Sequence, residues 1–161
     1  FGFINLSNIA MKTPLLVLFV LFIGHIVKAQ TLPDFSFEDV NGKVINKLSL
    51  PTNKPVIVFY FDPFCESCLE QAALISKEIT AFKDITLLWV TTNADRENNA
   101  FKQKYFNNAQ NAIVAVDTQF QFDTWFGYSE FNAIYCYNNK HEKTKSFNTT
   151  QTATTLLEAV K

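Results

Sequence analysis

The feature that most restricts the fold is a continuous apolar run, KPVIVFYF at positions 54–61, which passes directly into a helical pattern. A β-branched and aromatic run of this kind is typical of a strand that is buried on both faces of a sheet. The next residues, over about 66–82, place apolar side chains on one stripe of a helix: Cys68, Ala72, Ile75, Ile79 and Phe82. The sequence therefore predicts a β-strand followed by an α-helix, with Cys65 and Cys68 at the junction.

The same alternation of strand and helix continues along the chain. Apolar runs at 85–92, 111–118 and 132–138 predict three further strands, with helical segments between the runs. Before them, the stretch TLPDFSFEDVNGKVINKLSL predicts a β-hairpin whose turn is Asn41-Gly42. The pattern ends with an edge strand, KTKSFN, and a last helix. Together these elements predict an α/β fold, with a central mixed β-sheet flanked by helices and an N-terminal β-hairpin extension.

Residues 11–29 have the pattern of a secretory signal peptide. A short positive segment begins at Met11, an apolar segment of thirteen residues runs from Leu15 to Val27, and Ala29 precedes the expected cleavage point. A helix of thirteen residues spans about 20 Å, whereas the hydrocarbon core of a bilayer is roughly 30 Å thick. A cleaved signal is therefore favoured over a membrane anchor.

We interpret residues 1–10 as sequence upstream of the true start and residues 30–161 as one mature domain. Export predicts a periplasmic protein, in a compartment where disulfides form. The formal net charge of −1 and the lack of a basic cluster argue against a nucleic-acid partner.

Cys65 and Cys68 carry the most specific chemical signal. Cys65 falls at the predicted start of the helix, where unpaired N–H groups and the helix dipole favour the thiolate. Cys68 falls one turn later, on the buried face. An exposed sulfur that attacks a substrate disulfide, and a sheltered sulfur that resolves the mixed disulfide, are what thiol–disulfide exchange requires. Glu66 disfavours the neighbouring thiolate, so the pair is predicted to be reducing.

The dithiol after the first core strand, together with the lead-in at 31–50, resembles the thioredoxin-like superfamily. The lead-in is most similar to its periplasmic TlpA/ResA-like thiol-disulfide oxidoreductases, which are related to the AhpC/TSA redoxins. The resemblance implies that Cys65 is the nucleophile and Cys68 the resolving thiol. It also implies that the Cys65–Cys68 disulfide is the redox group without a metal or another cofactor, and that the substrates are protein disulfides. A membrane dithiol donor would recharge the protein, which is expected to be a monomer.

One position departs from the pattern of that family. The family has a cis-proline just before the fourth core strand, facing the dithiol, and the matching stretch GYSEFNAIYCY has Asn132 there. A cis bond before a residue other than proline costs about 3–4 kcal/mol, so the peptide is expected to be either trans or strained. Asn132 is therefore predicted to lie in the substrate loop and to alter docking. Asn132→Pro is expected to raise reductase activity if the missing proline limits docking.

Other interpretations of the cysteines stay open at this point. The pair could be a structural disulfide in a redox-inactive, thioredoxin-like interaction module. Cys65, Cys68, Cys136 and His141 could also form a Cys₃His metal site, although Cys136 is more simply a core residue and His141 a solvated one. A peroxiredoxin is disfavoured because Asp62, and not Thr, lies three residues before Cys65.

Overall fold

The computed structural model describes residues 30–93 and 97–161, and the predicted upstream segment and signal peptide lie outside these residues. Within them the chain forms seven strands: β1 Ser36–Asp39, β2 Val44–Asn46, β3 Val56–Tyr60, β4 Thr86–Thr91, β5 Ala112–Val116, β6 Ala133–Tyr137 and β7 Lys143–Phe147. The α-helices of the same residues are α1 Glu66–Lys77, α2 Glu97–Phe106, α3 Phe122–Phe126 and α4 Ala153–Ala159. None of these helices is long and apolar enough to cross a bilayer.

The strands form one mixed sheet in the order β2-β1-β5-β4-β3-β6-β7. Strands β3, β4 and β5 are parallel neighbours, whereas β6 and β7 add antiparallel to one side. On the other side the β1–β2 hairpin pairs antiparallel with β5. Gly42 has a φ of 78° in the hairpin turn, and the carboxylate of Asp39 accepts backbone N–H bonds from Asn41 and Lys43. The predicted mixed sheet and N-terminal hairpin are confirmed.

The first helix is shorter than the predicted 66–82. Helix α1 ends at Lys77, Glu78 leaves the helical region with φ −116° and ψ 23°, and Ile79–Phe82 forms a separate 3-10 turn. Two β-branched residues, Ile79 and Thr80, follow Glu78 and favour a helix less than unbranched side chains do. The turn still returns Phe82 to the core, so the apolar stripe is preserved although the helix is interrupted.

Hydrophobic cores cover both faces of the sheet, because alternate residues of each strand point to opposite sides. On one face Phe59 stacks on Trp89 with ring centroids 4.0 Å apart, under α1, α2 and α4. On the other face Val58 packs with Phe37 of the hairpin and Phe122 of α3. Burial on both faces holds β3 rigidly, and α1 begins within six residues of its end.

Candidate active site

Cys65 and Cys68 form a disulfide at the start of α1, with their Cα atoms 5.2 Å apart. Cys65 is the N-cap residue of the helix, and its Sγ accepts a hydrogen bond from the backbone N–H of Cys68 at 3.3 Å. Cys65 is partly exposed, whereas Cys68 is 0% exposed and belongs to the core beneath α1. The two sulfurs therefore differ in access to solvent in the way that exchange chemistry needs, and their individual roles stay a prediction.

A tight turn between β3 and α1 presents the disulfide. The N–H of Phe61 donates to Val90 O at 2.9 Å and extends the strand by one residue. The carboxylate of Asp62 then accepts a hydrogen bond from the N–H of Phe64 at 2.8 Å. The backbone carbonyl of Asp62 accepts one from the N–H of Cys65 at 3.1 Å. Since these bonds close the turn, Phe64 is directed outward and is 68% exposed beside Cys65.

The two residues between the cysteines are both exposed. Glu66 lies in the first turn of α1, next to Cys65, where a carboxylate favours the helix but disfavours a neighbouring thiolate. The hydroxyl of Ser67 lies 3.3 Å from the Sγ of Cys65. This contact was not predicted from the sequence, although a serine two residues after a capping residue is a recognisable signal.

Asn132, which the sequence predicts to lie in a substrate loop, adjoins the end of β3, and its role in docking stays a prediction. No peptide bond of the described residues is cis, and Asn132 has a φ of 72°. Of the two expected arrangements the peptide is therefore trans, with Asn132 in the left-handed region that asparagine tolerates better than most residues. Its N–H donates to Tyr60 O at 2.8 Å, and its Nδ2 donates to Thr150 Oγ1 at 3.2 Å.

A third segment, the loop before α4, also reaches the first turns of α1. Thr150 Oγ1 donates to the carbonyl of Ser67 at 3.4 Å. Gln71, fully buried on α1, binds both backbone groups of Gln151: its Oε1 accepts the N–H at 2.6 Å and its Nε2 donates to the carbonyl at 3.1 Å. These contacts were not predicted from the sequence, although Gln71 is a polar residue on the buried face of the helix.

Aromatic side chains cover the other flank of the turn. The ring of Tyr60 stacks on Phe122 at 4.2 Å and contacts Phe131 at 5.1 Å. Burial raises the pKa of the Tyr60 phenol, and a hydrogen bond to the side chain of Thr92 opposes this effect. Phe131, next to Asn132, remains 43% exposed. Exposed aromatic surface thus lies both beside Cys65 and beside the Asn132 loop.

The third cysteine lies apart from this surface. Cys136 is a buried free thiol in β6, opposite Ile57 of β3, and burial raises its pKa to about 12. His141 lies in the turn between β6 and β7. Among the described residues, no three His, Cys, Asp or Glu side chains are grouped so that they could hold a metal ion. The geometry therefore gives no support to the Cys₃His interpretation.

No protein-family model matches the chain, and no curated protein matches it. Solved structures do match. A secreted Mycobacterium tuberculosis disulfide oxidoreductase homologous to E. coli DsbE is 21% identical, with a TM-score of 0.65 over 79% of this chain and 94% of that chain. A thioredoxin-like protein from Aeropyrum pernix is 16% identical, with a TM-score of 0.63 over 79% and 87%. The peroxidoxin BcpB from Mycobacterium tuberculosis is 14% identical, with a TM-score of 0.68 over 82% and 94%.

These similarities establish the fold. The chain has the thioredoxin-like fold, as its sequence predicts, and similarity to each structure extends over most of both chains. Because a shared fold hosts several activities, the function has to be argued from the site itself.

Proposed function

We propose that the protein is a thiol-disulfide oxidoreductase that reduces disulfides in protein substrates. The observation that carries the proposal is the disulfide at the start of α1, in which Cys65 is partly exposed and Cys68 is enclosed. The structure corresponds to the oxidised form. Exposed Phe64 adjoins Cys65, and exposed Phe131 adjoins Asn132. Exposed aromatic surface of this kind suits a polypeptide better than a small molecule, which would need an enclosed pocket.

The reaction begins from the reduced dithiol. The thiolate of Cys65 attacks one sulfur of the substrate disulfide, and the other substrate sulfur leaves as a thiolate that takes up a proton. Cys68 then loses its proton and attacks the Sγ of Cys65. This step releases the second substrate thiolate, which is also protonated, and re-forms the Cys65–Cys68 disulfide. Two electrons have passed to the substrate, and an external dithiol must return two electrons to the protein.

The direction of electron transfer, from the protein to the substrate disulfide, follows from the charges at Cys65. The N–H of Cys68 and the start of α1 stabilise a thiolate, and the carboxylate of Glu66 opposes them. A less stable thiolate makes the reduced form a better electron donor. We therefore assign the protein the role of a reductant.

The cellular context of the proposal comes from the sequence. The signal pattern at 11–29 supports export to the periplasm, and the lead-in at 31–50 supports a place in the TlpA/ResA-like branch. A periplasmic reductant needs electrons from a membrane dithiol donor. The donor and substrate disulfides are then the expected partners of a protein that acts as a monomer.

Two measurements test the proposal. The Cys65–Cys68 pair is titrated against glutathione and dithiothreitol buffers with metal analysis alongside, and reduction of insulin is followed for the wild type and Cys65→Ser. We expect reversible two-electron cycling without bound metal, and insulin reduction that Cys65→Ser abolishes. A pair that does not cycle, or one metal ion per chain lost in Cys136→Ala, would overturn it.

The alternative is a thioredoxin-like interaction module whose disulfide is only structural. Asn132 favours this alternative, because the chain lacks the proline that its family resemblance implies at the substrate loop. A peroxidase is disfavoured even though BcpB shares the fold, because Asp62 stands where a peroxidatic site needs Thr. The carboxylate of Asp62 is also engaged in a hydrogen bond with the N–H of Phe64. Loss of insulin reduction in Cys65→Ser would exclude the interaction module.

A further inference from the structure

The loop at 149–152 is tied to α1 by side chains that the redox steps do not use. Gln71 pairs with both backbone groups of Gln151, much as a neighbouring strand would. A buried amide is costly unless both of its ends are hydrogen-bonded, so an apolar residue would suit this core position better if packing were its only role. Helix α4 does not depend on Gln71 for its start, because Thr152 caps it through the N–H of Thr155. Gln71 therefore fixes where the loop lies against α1.

Thr150 uses that fixed position to join two segments that flank Cys65. Its hydroxyl donates to the carbonyl of Ser67 and accepts from the side chain of Asn132. Ser67 in turn contacts the Sγ of Cys65 through its own hydroxyl at 3.3 Å. A chain of direct contacts thus connects Asn132, Thr150, Ser67 and Cys65.

We call the hydrogen bonds of Gln71 and Thr150 the tether. Asn132 needs the tether because its backbone conformation is unfavourable for most residues. A φ of 72° lies in the left-handed region, which a residue other than glycine holds only where its surroundings enforce it. Two contacts do so: the N–H bond to Tyr60 and the side-chain bond to Thr150. Phe131, the exposed neighbour of Asn132, contacts the ring of Tyr60 at 5.1 Å, so both residues of this segment are anchored to the end of β3.

We propose that Gln71 and Thr150 are positioning residues for polypeptide substrates. They hold the Phe131–Asn132 segment at a fixed place relative to Cys65, so that a substrate chain can lie against it while its disulfide is attacked. This inference rests on the proposed function and adds to it the residues that set the affinity for polypeptides. Thr150 bonds to the backbone carbonyl of Ser67, whereas the Sγ of Cys65 contacts the side-chain hydroxyl of Ser67. The first turn of α1 and the core under Cys68 hold the dithiol, so we expect its intrinsic reactivity to change little when the bonds of Thr150 are lost.

The test compares a polypeptide disulfide with a small one. Thr150→Val keeps the shape of the side chain and removes both hydrogen bonds, and Thr150→Ser restores the hydroxyl. Thr154→Val, at an exposed position of α4, is the matched control. For Thr150→Val we expect KM for insulin to rise about tenfold, which is the effect of losing bonds of this kind, with kcat unchanged. Reduction of oxidised glutathione should stay within about twofold of the wild type, and Thr150→Ser and Thr154→Val should resemble the wild type with both substrates.

A second variant tests the same inference at Gln71, which is buried on α1. Gln71→Met keeps the length of the side chain, leaves Gln151 without its two bonds, and should raise KM for insulin in the same selective way. Equal losses with insulin and glutathione would show a structural role only, and unchanged KM values in Thr150→Val would also overturn the inference. If the wild type reduces neither substrate, the proposed function fails and this inference fails with it. If the wild type is active and Thr150→Val has the same KM for insulin, the positioning role alone is refuted.

Discussion

The two residues between the cysteines, Glu66 and Ser67, differ in what they offer the sulfur of Cys65. Glu66 adds a negative charge beside it, and Ser67 adds a hydroxyl 3.3 Å away. The charge destabilises a thiolate, whereas a hydroxyl that donates a hydrogen bond stabilises it. Neither residue alters the protein fold around the pair, so each is open to substitution.

We predict that Glu66→Gln and Ser67→Ala shift the reduction potential of the pair in opposite directions. Glu66→Gln removes the opposing charge and should raise the potential by about 10–30 mV, and Ser67→Ala should lower it by a similar amount. Equilibration with glutathione buffers measures both shifts. Glu70→Gln, an exposed carboxylate one turn further along α1, is the control and should change the potential less. Shifts of the same sign in Glu66→Gln and Ser67→Ala would contradict this account.

The structure reverses the expectation for Asn132→Pro. Proline needs a φ near −65° and lacks an N–H, whereas Asn132 has a φ of 72° and donates its N–H to Tyr60. We therefore predict that Asn132→Pro lowers the free energy of unfolding by about 3 kcal/mol and lowers the reductase activity. Asn132→Gly fits the backbone and should cost less than about 1 kcal/mol. Urea denaturation separates the two, and equal stability of both variants would refute the argument.

At the scale of secondary-structure elements, strand β6 is notable for the thiol of Cys136 and the phenol of Tyr137 in successive buried positions. Burial raises the pKa of Cys136 from its ordinary value to about 12, and burial also raises the pKa of Tyr137. In the unfolded chain these groups lose their protons at lower pH than in the folded chain. The unfolded state is thus favoured as pH rises through this interval.

We predict that the free energy of unfolding falls between pH 9 and about pH 12, and that Cys136→Ala makes the fall less steep. One group with a raised pKa contributes a slope of at most about 1.4 kcal/mol per pH unit. Denaturant unfolding at several pH values measures how steeply the free energy of unfolding falls with pH. This slope is unaffected by any pH-independent loss of stability that the smaller side chain of Cys136→Ala causes. Identical slopes for the two proteins would show that Cys136 does not titrate on unfolding.

The sequence predicts the elements well where burial dictates residue type. Strand β3 follows from its continuous apolar run, and the start of α1 follows from the apolar stripe beyond Cys65. The break at Glu78 is not evident, because the apolar periodicity continues through it. Nor does a single sequence reveal the pairing of Gln71 with Gln151, since the partners are 80 residues apart and join only through the tertiary fold.

At the scale of the whole molecule, charge is unevenly distributed around the disulfide. The segments 60–70 and 117–132 contain no Lys or Arg. They contain six acidic residues, of which Asp117 is buried and five are at least partly exposed: Asp62, Glu66, Glu70, Asp123 and Glu130. Their elements surround the disulfide turn, the Tyr60 stack and the Asn132 loop. A negative field over this surface attracts positively charged polypeptides.

We predict that a cationic peptide disulfide is reduced several-fold faster than an anionic one of the same length at low ionic strength. The difference should shrink as salt is raised to about 0.5 M, because salt screens charges on exposed surfaces. The double substitution Asp123→Asn and Glu130→Gln should reduce the preference. Glu78→Gln, at the other end of α1, changes an exposed acidic residue and should leave it unaltered. A preference that is insensitive to salt would contradict the prediction.

The enclosure of Cys136 also has a practical consequence for finding the partners of this protein. Cys136 is buried and its thiolate is disfavoured at neutral pH, so it does not compete for disulfide exchange in the folded chain. In Cys68→Ser, Cys65 is then the one cysteine that solvent reaches among the described residues. A partner captured by this variant is held through a single known sulfur, and the linkage can be mapped by mass spectrometry without altering the core of the bait.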